Sequence, residues 1–308
     1  MEIHAVGGTS AQGSRPGQED QYAILTPGES PSGIQNTLAL FAVFDGHGSD
    51  AVAKHAREYV PQLVFESLDA KKGNYETAMQ AAIDQEDTLL LREFSDGEDQ
   101  FATAGSTVSL ALVDLKEGVL VVGNLGDSHI LLAEKDAQSG QLKEVSRLTQ
   151  SHKPENTEEK QRIEEAGGEV HWQKNIPRIG NLNMSRALGD LQYKNPLNNI
   201  TTAPSADGQE TAARRRSEEK DDYLTVQMSF TQVDLKKDGK YILALTTDGI
   251  TNVMNDDMVM QKMVKGLNSG TNATEVAQSL VDEVAVMPGS DNATCIIVFL
   301  NGVSSPAL

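Results

Sequence analysis

Three acidic residues stand where an apolar run gives way to a turn: Asp45 before Gly46, Asp127 after Gly126, and Asp248 before Gly249. Glu19-Asp20 and Asp291-Asn292 lie just ahead of such runs. A carboxylate at a strand end has a fixed backbone and a free side chain. Several that converge repel one another unless cations stand between them, and hard oxygen donors suit Mg²⁺ or Mn²⁺. Taken singly, each Asp-Gly pair is better read as ordinary turn chemistry.

The tetrapeptide Asp45-Gly46-His47-Gly48 is richer, because it sets a carboxylate beside an imidazole in a turn that a substrate or metal can approach closely. The same residues give Gly46-x-Gly48-x-x-Ala51 with Glu66 downstream, a form of the dinucleotide fingerprint. Against that reading, Asp45 crowds a pyrophosphate, and a helix follows a helix where a second parallel strand is needed. Arg15, in a Gly/Ser/Pro-rich stretch ahead of Glu19-Asp20, is a solvated charge or a bidentate fork for phosphate. A Gly-x-Ser-x-Gly elbow, a His-Glu-x-x-His pair and a P-loop are all absent from the sequence.

The elements that must carry these residues show in the hydrophobic pattern. Ile3 to Val6, Gln21 to Leu25, Leu38 to Phe44, Thr107 to Val113, Val119 to Leu125, Ile130 to Ala133, Tyr241 to Thr246 and Thr294 to Leu300 read as strands. Val52, Ala56, Leu63 and Leu68 mark one helix, which Pro61 is expected to kink or restart. Ala78, Ala82, Ile83, Leu89 and Leu90 mark a second. Glu155 to Ala166 is a charged helix stopped by Gly167-Gly168. Val276, Ala277, Leu280, Val281 and Val284 form an amphipathic helix, with Asn272 and Glu275 placed as a capping box. Strands cluster and helices pair, so antiparallel sheets covered by helix pairs fit better than a doubly wound parallel sheet.

With 308 residues the chain is near the upper size for one core. A single domain over residues 1–302 is expected, with a mobile surface insertion near 204–222, where apolar periodicity fails, and a short tail, 303–308. The 26 Lys and Arg against 45 Asp and Glu leave a net charge of −19, which disfavours nucleic acid and anionic membrane surfaces as partners. Cys295 is alone, so neither an internal disulfide nor a structural zinc site built on two cysteines is available. Met1 to Gly8 lacks a basic stretch leading into an apolar run, and the apolar runs fall short of the roughly 20 residues of a membrane span. The asparagine sequons are therefore read as chance.

Taken in order, these segments resemble the protein phosphatase 2C family, the metal-dependent Ser/Thr phosphatases. The resemblance rests on Arg15-x-x-x-Glu19-Asp20, Asp45-Gly46-His47-Gly48, Gly105-Ser106-Thr107, Gly126-Asp127-Ser128, His152-Lys153-Pro154, Arg162-Ile163 with Ala166-Gly167-Gly168, Ser185-Arg186-Ala187-Leu188-Gly189-Asp190, Asp248-Gly249 and Asp291-Asn292. It implies an α+β fold, a central antiparallel β-sandwich flanked on both sides by helix pairs. It implies two Mn²⁺ or Mg²⁺ ions, with Asp45 bridging them. The Gly46 carbonyl, Asp248 and Asp291 would complete the first shell, and Glu19 and Asp20 would hold metal-bound waters. Arg15 would grip the phosphate, His47 would protonate the leaving alkoxide, and Asp127 would help bind a third, weaker metal. The implied reaction is hydrolysis of phosphoserine and phosphothreonine in proteins by a metal-bridging water. The implied protein is a soluble cytoplasmic, or else nuclear, monomer that acts in signalling.

Three positions depart from the family pattern: His129 where Arg often follows Gly-Asp-Ser, Ser151 where an acidic residue often precedes His-Lys-Pro, and Asn252 where Asp often stands. The last puts the third metal in doubt. Arg186 and the Ala166-Gly167-Gly168 turn read as structural. Two other readings stay open: a pseudophosphatase that keeps the fold as a binding module, and the dinucleotide-binding enzyme.

Overall fold

A computed structural model of the chain describes residues 1–29, 37–67, 74–136, 138–197 and 221–302. Almost all of the expected 204–222 insertion, the tail 303–308 and Leu68 lie outside the described residues.

Two five-stranded antiparallel sheets form the centre. One has the order β1 (Glu2–Ala11), β15 (Ala293–Asn301), β14 (Lys240–Thr246), β8 (His129–Lys135), β9 (Leu142–Arg147). The other runs β13 (Ser229–Asp234), β7 (Val119–Leu125), β6 (Val108–Asp114), β3 (Leu38–Phe44), β2 (Gln21–Leu25). The seven residues of β3 are all buried, which explains why they read as an unbroken apolar run. Successive side chains of a strand point to opposite faces. Ala39, Phe41 and Val43 pack between the sheets against Val122, Leu243, Leu245 and Val298. Leu40, Ala42 and Phe44 face outward into the helix layer.

That layer is α1 (Ala51–Glu66) with α2 (Tyr75–Ser95). The other sheet is covered by α5 (Asp256–Asn268) and α6 (Ala273–Ala285), with Ile242, Ala244 and Ile297 under Val259, Met263, Ala277 and Leu280. The two-layer sandwich between helix pairs is the architecture the sequence implied. Cys295 is buried in this layer, and burial pushes its thiol up to about 12, so it is inert at neutral pH.

Local differences have physical reasons. The helix α1 runs on through Pro61 without restarting. Proline has no N–H for the carbonyl of Arg57, but Val60, Pro61, Val64 and Phe65 are all buried and hold the second half in place. The capping box holds at α6, where the Asn272 side chain accepts from the Glu275 amide at 2.9 Å. Asp248-Gly249 opens a short helix, α4 (Asp248–Thr251), instead of a turn.

The charged segment forms α3 (Thr157–Glu165), and Gly167 stops it with a φ of 85°. Its one buried acid, Glu159, accepts from Arg186 Nε at 2.9 Å and from an Arg162 guanidinium nitrogen at 3.3 Å. Arg162 also donates to the Ser185 carbonyl at 2.9 Å. These ties lock the segment after Ser185 to the body of the protein. Burial opposes charge on Glu159, but the two guanidiniums and the hydrogen bonds prevail and lower its pKa to about 2. Removing one member of a buried ion network typically costs about 3–5 kcal/mol. Glu159→Ala is expected to lose stability on that order at pH 7 in urea unfolding, and Glu159→Gln distinctly less. In the wild type this contribution is fully present above the ordinary glutamate pKa and fades as pH falls toward 2.

Candidate active site

Antiparallel pairing brings the acidic positions to one end of the sandwich. Asp20 precedes β2, whose Gln21 pairs with Phe44, and Asp45 follows Phe44. Val108 pairs with Leu125, so Asp127, two residues on, emerges at the same end. Thr246 pairs with both His129 and Cys295, which adds Asp248 and Asp291. No pair of these five is adjacent in sequence.

The backbone is packed tightly around them. A Cβ on Gly46 would lie 2.4 Å from the Glu19 carbonyl oxygen, and one on Gly249 would lie 1.9 Å from that of Asn292. Both glycines are there for close approach of backbones, since neither has a positive φ. Asn292 closes the rim: its amide donates to the carbonyls of Gln12 at 2.7 Å and Gly17 at 2.9 Å, and its Oδ1 accepts from the Glu19 amide at 2.8 Å. That pins the loop carrying Arg15, Glu19 and Asp20.

Asp20 is buried, and its Oδ2 accepts from Thr294 Oγ1 at 2.7 Å and Thr247 Oγ1 at 2.9 Å. Its Oδ1 has no hydrogen-bond partner. Asp45 has neither a cation nor a side-chain donor on its carboxylate among the described residues, and Asp20, Asp248, Asp127 and Asp291 surround it. Burial, reinforced by those charges, raises its pKa well above the usual range. Burial likewise lifts Asp20 to about 7 and Asp248 to about 6, with Asp291 adding to both. Asp127 is held by the Lys153 ammonium, and Asp291 by Arg15 at 2.6 Å. Arg15 is 55% exposed and sits on the rim. Asn252 donates to Asp248 Oδ2 at 3.0 Å.

His47 lies in β4 (Gly46–His47), which joins β5 (Gly105–Ser106) and β12 (Leu188–Gly189) in a small three-stranded sheet. Its Nε2 is 2.6 Å from Asp190 Oδ2. Burial opposes its positive charge, but Asp190, Asp127 and Glu19 prevail and raise its pKa. His129, the departure from the family pattern, is buried with its Nε2 facing Arg147 at 2.9 Å, and burial followed by that guanidinium lowers it to about 4. Arg147 in turn pairs with Asp256 at 2.5 Å. A guanidinium from β9 thus stands beside the position where the pattern expects one.

Among the described residues, no three acidic, imidazole or thiol side chains gather tightly enough to enclose one ion unaided. The donor set nevertheless fits hard divalent cations. It offers an unpartnered Asp20 oxygen, an unpaired Asp45 and carboxylates starved of counter-charge. Mg²⁺-like ions take few carboxylates and keep several waters. The fit is poorer for a third ion at Asp127, which would displace the Lys153 ammonium and meet an amide at Asn252.

The protein phosphatase 2C family model matches residues 4–293. The chain belongs to the protein phosphatase 2C family. It is 29% identical to "Protein phosphatase 2C homolog 3" of Schizosaccharomyces pombe over 306 residues, covering 97% of this chain and 65% of that protein. It is also 29% identical over 291 residues to "Probable protein phosphatase 2C 4" of Paramecium tetraurelia, covering 87% of this chain and 85% of the relative. The solved serine-threonine phosphatase 2C of Toxoplasma gondii superposes with a TM-score of 0.76 at 21% identity, over 97% of this chain and 96% of the other, and so shares the fold. Among the described residues of this PP2C chain, no helix is long and apolar enough to cross a membrane.

The carboxylate cluster predicts a metal-linked stability. A cation that binds only the folded form stabilises it, and protons on the same oxygens compete. Folded Asp20 and Asp248 hold protons up to about 7 and 6, whereas the unfolded chain releases them near the ordinary aspartate value. The rise in Tm caused by Mn²⁺ over a chelated control should therefore be larger at pH 8 than at pH 6. Asp248→Asn should greatly reduce it. A shift that ignores both pH and the substitution removes these carboxylates from the metal set.

Proposed function

We propose that this PP2C chain hydrolyses phosphoserine and phosphothreonine in proteins, using two divalent cations, Mn²⁺ or Mg²⁺, at the carboxylate end of the sandwich. The observation that carries the reading is the convergence of Asp20, Asp45, Asp127, Asp248 and Asp291 in one field, with Asp45 unpaired and one Asp20 oxygen unpartnered. Bound cations supply neutralisation of phosphoryl charge and activation of water. Asp45, Asp248, Asp291 and the Gly46 carbonyl would hold them, and Glu19 and Asp20 would order their hydration. Asp127 is carried as part of the acidic wall, secured by Lys153. Arg15 is paired with Asp291 at 2.6 Å, and if Asp291 held a cation, the planar fork of Arg15 would be free to pair two phosphoryl oxygens.

The reaction forms one P–O bond to water and breaks the bond to the Ser or Thr oxygen, which takes the electron pair. That alkoxide is strongly basic and leaves poorly unless it receives a proton as it departs. His47 is the proton donor, because it is an imidazole two residues from Asp45 in a field that favours its charged form. The products are a free hydroxyl and inorganic phosphate. Substrates are phosphoproteins met in cytoplasmic signalling, and the rim formed by Arg15 and the cations offers the local positive field that a chain of charge −19 otherwise lacks.

Release of phosphate from a phosphothreonine peptide, with and without chelator, tests the activity and separates it from a binding module. His47→Ala tests the proton donor. It should lose on the order of 10²–10⁴-fold on the peptide at saturating Mn²⁺. The loss on nitrophenyl phosphate should be much smaller, because nitrophenolate leaves as a stable anion. Equal losses on both substrates would assign His47 to shaping the turn around Asp45.

A further inference from the structure

The small sheet of β12, β5 and β4 contributes almost nothing to the core, yet it is built with unusual tightness. Across it Gly105 pairs with His47 on one side and Gly189 on the other. A Cβ on Gly105 would fall 2.0 Å from Asp190 Oδ2 and 2.5 Å from His47 Nε2. The bare glycine is therefore the floor on which an imidazole and a carboxylate meet at 2.6 Å. Asp190 is fully buried and adopts a left-handed conformation, φ 48°, with its amide tied to the Ala104 carbonyl at 2.7 Å. Such a conformation is uncommon outside glycine and costs energy that the surroundings must offset. The Glu159 network and the Gly189 amide, which donates to Asp87 at 2.9 Å, hold the segment that pays this cost.

We propose that Asp190 is the positioning residue of this phosphatase's proton donor. Its carboxylate accepts from His47 Nε2–H and fixes the ring, leaving Nδ1 to serve the leaving oxygen. The inference rests on His47 acting as that donor. Nδ1 is the ring nitrogen that has no protein partner, and it is shielded from water. A buried polar atom left unpaired costs about 1–3 kcal/mol. Its hydrogen bond is thus one that the protein does not make for itself, as expected of an atom reserved for substrate. The His47 side chain is 22% exposed, and without Asp190 the imidazole would have rotational freedom about χ2 and a choice of tautomers.

Asp190→Asn is the informative variant, because asparagine tolerates the left-handed backbone and keeps the volume while removing the charge. At saturating Mn²⁺, kcat on a phosphothreonine peptide should fall by roughly 10–100-fold, the scale of a misplaced reacting group. KM should change little, nitrophenyl phosphate hydrolysis should fall much less, and the Mn²⁺-induced Tm shift should persist. In a His47→Ala background the second substitution should add almost nothing, since both act through one group. Long-range ¹H–¹⁵N spectra of the wild type, independent of any variant's folding, should show a strongly deshielded His47 Nε2 proton that Asp190→Asn removes. Additive losses, equal loss on both substrates, or an Nε2 without that proton would overturn the proposal. If His47→Ala itself fails to distinguish the two substrates, the proton-donor reading falls first. If it distinguishes them and Asp190→Asn does not, only the role of Asp190 falls.

Discussion

Repulsion among carboxylates at one end of a β-sandwich is the constraint around which this molecule is arranged. Like charges gathered in a dry site have three remedies: protonation, counter-charge from the chain, or a cation from solution. The chain itself supplies the first two. Burial keeps Asp20 and Asp248 protonated well above the usual aspartate range. Lys153 and Arg15 supply counter-charge to Asp127 and Asp291. Asp45 has neither partner, which makes it the centre on which external cations are expected to act.

Holding such a site open requires a scaffold that does not yield, and the sandwich supplies it. Strand ends carry the acids, so each carboxylate inherits the rigidity of a ladder of backbone hydrogen bonds and of a core filled from both faces. The two sheets are stitched together at the acidic end by Thr247 and Thr294, which reach across to Asp20 and also bond to each other's backbone. Neutral hydroxyl donors satisfy one oxygen of buried Asp20 without bringing a counter-charge. A lysine there would have brought one and removed the reason for a metal.

Much of this was legible in the sequence, and the limits are instructive. Strands β3, β7 and β14 could be placed because apolar runs ending in Asp-Gly or Gly-Asp are hard to read otherwise. The helix α5 was missed because Asp256, Asp257, Lys262 and Lys265 interrupt its apolar stripe, which is largely methionine. The strands β9 and β13 were missed because they form sheet edges, where half-exposed polar residues blur the alternation. The acids could be singled out by context, yet their convergence depends on pairing between strands far apart in the chain. Glu86 was invisible for the same reason. It sits on the apolar face of α2, fully buried, and only the fold reveals His55 of α1 at 2.7 Å. Asp190 was seen as part of a motif and not as a partner, because 143 positions separate it from His47. A polar residue directly after Leu-Gly, forced into a left-handed bend, was the one local signal available.

The departures from the family pattern are best understood as compensations within one electrostatic neighbourhood. His129 places a neutral ring where the pattern expects a guanidinium, and Arg147 reaches in from an edge strand to stand against it, tethered to Asp256. Asn252 replaces an acid with an amide that donates to Asp248, so the local negative charge falls by one at the point where Lys153 already neutralises Asp127. The first change leaves the charge there level, and the second lowers the demand for external cations on the Asp127 side. They leave the Asp20, Asp45 and Asp291 side untouched. The asymmetry follows from proximity alone: a cation is drawn to the carboxylates that the chain has left without a partner. In this protein those lie around Asp45, where the His47 ring is also held.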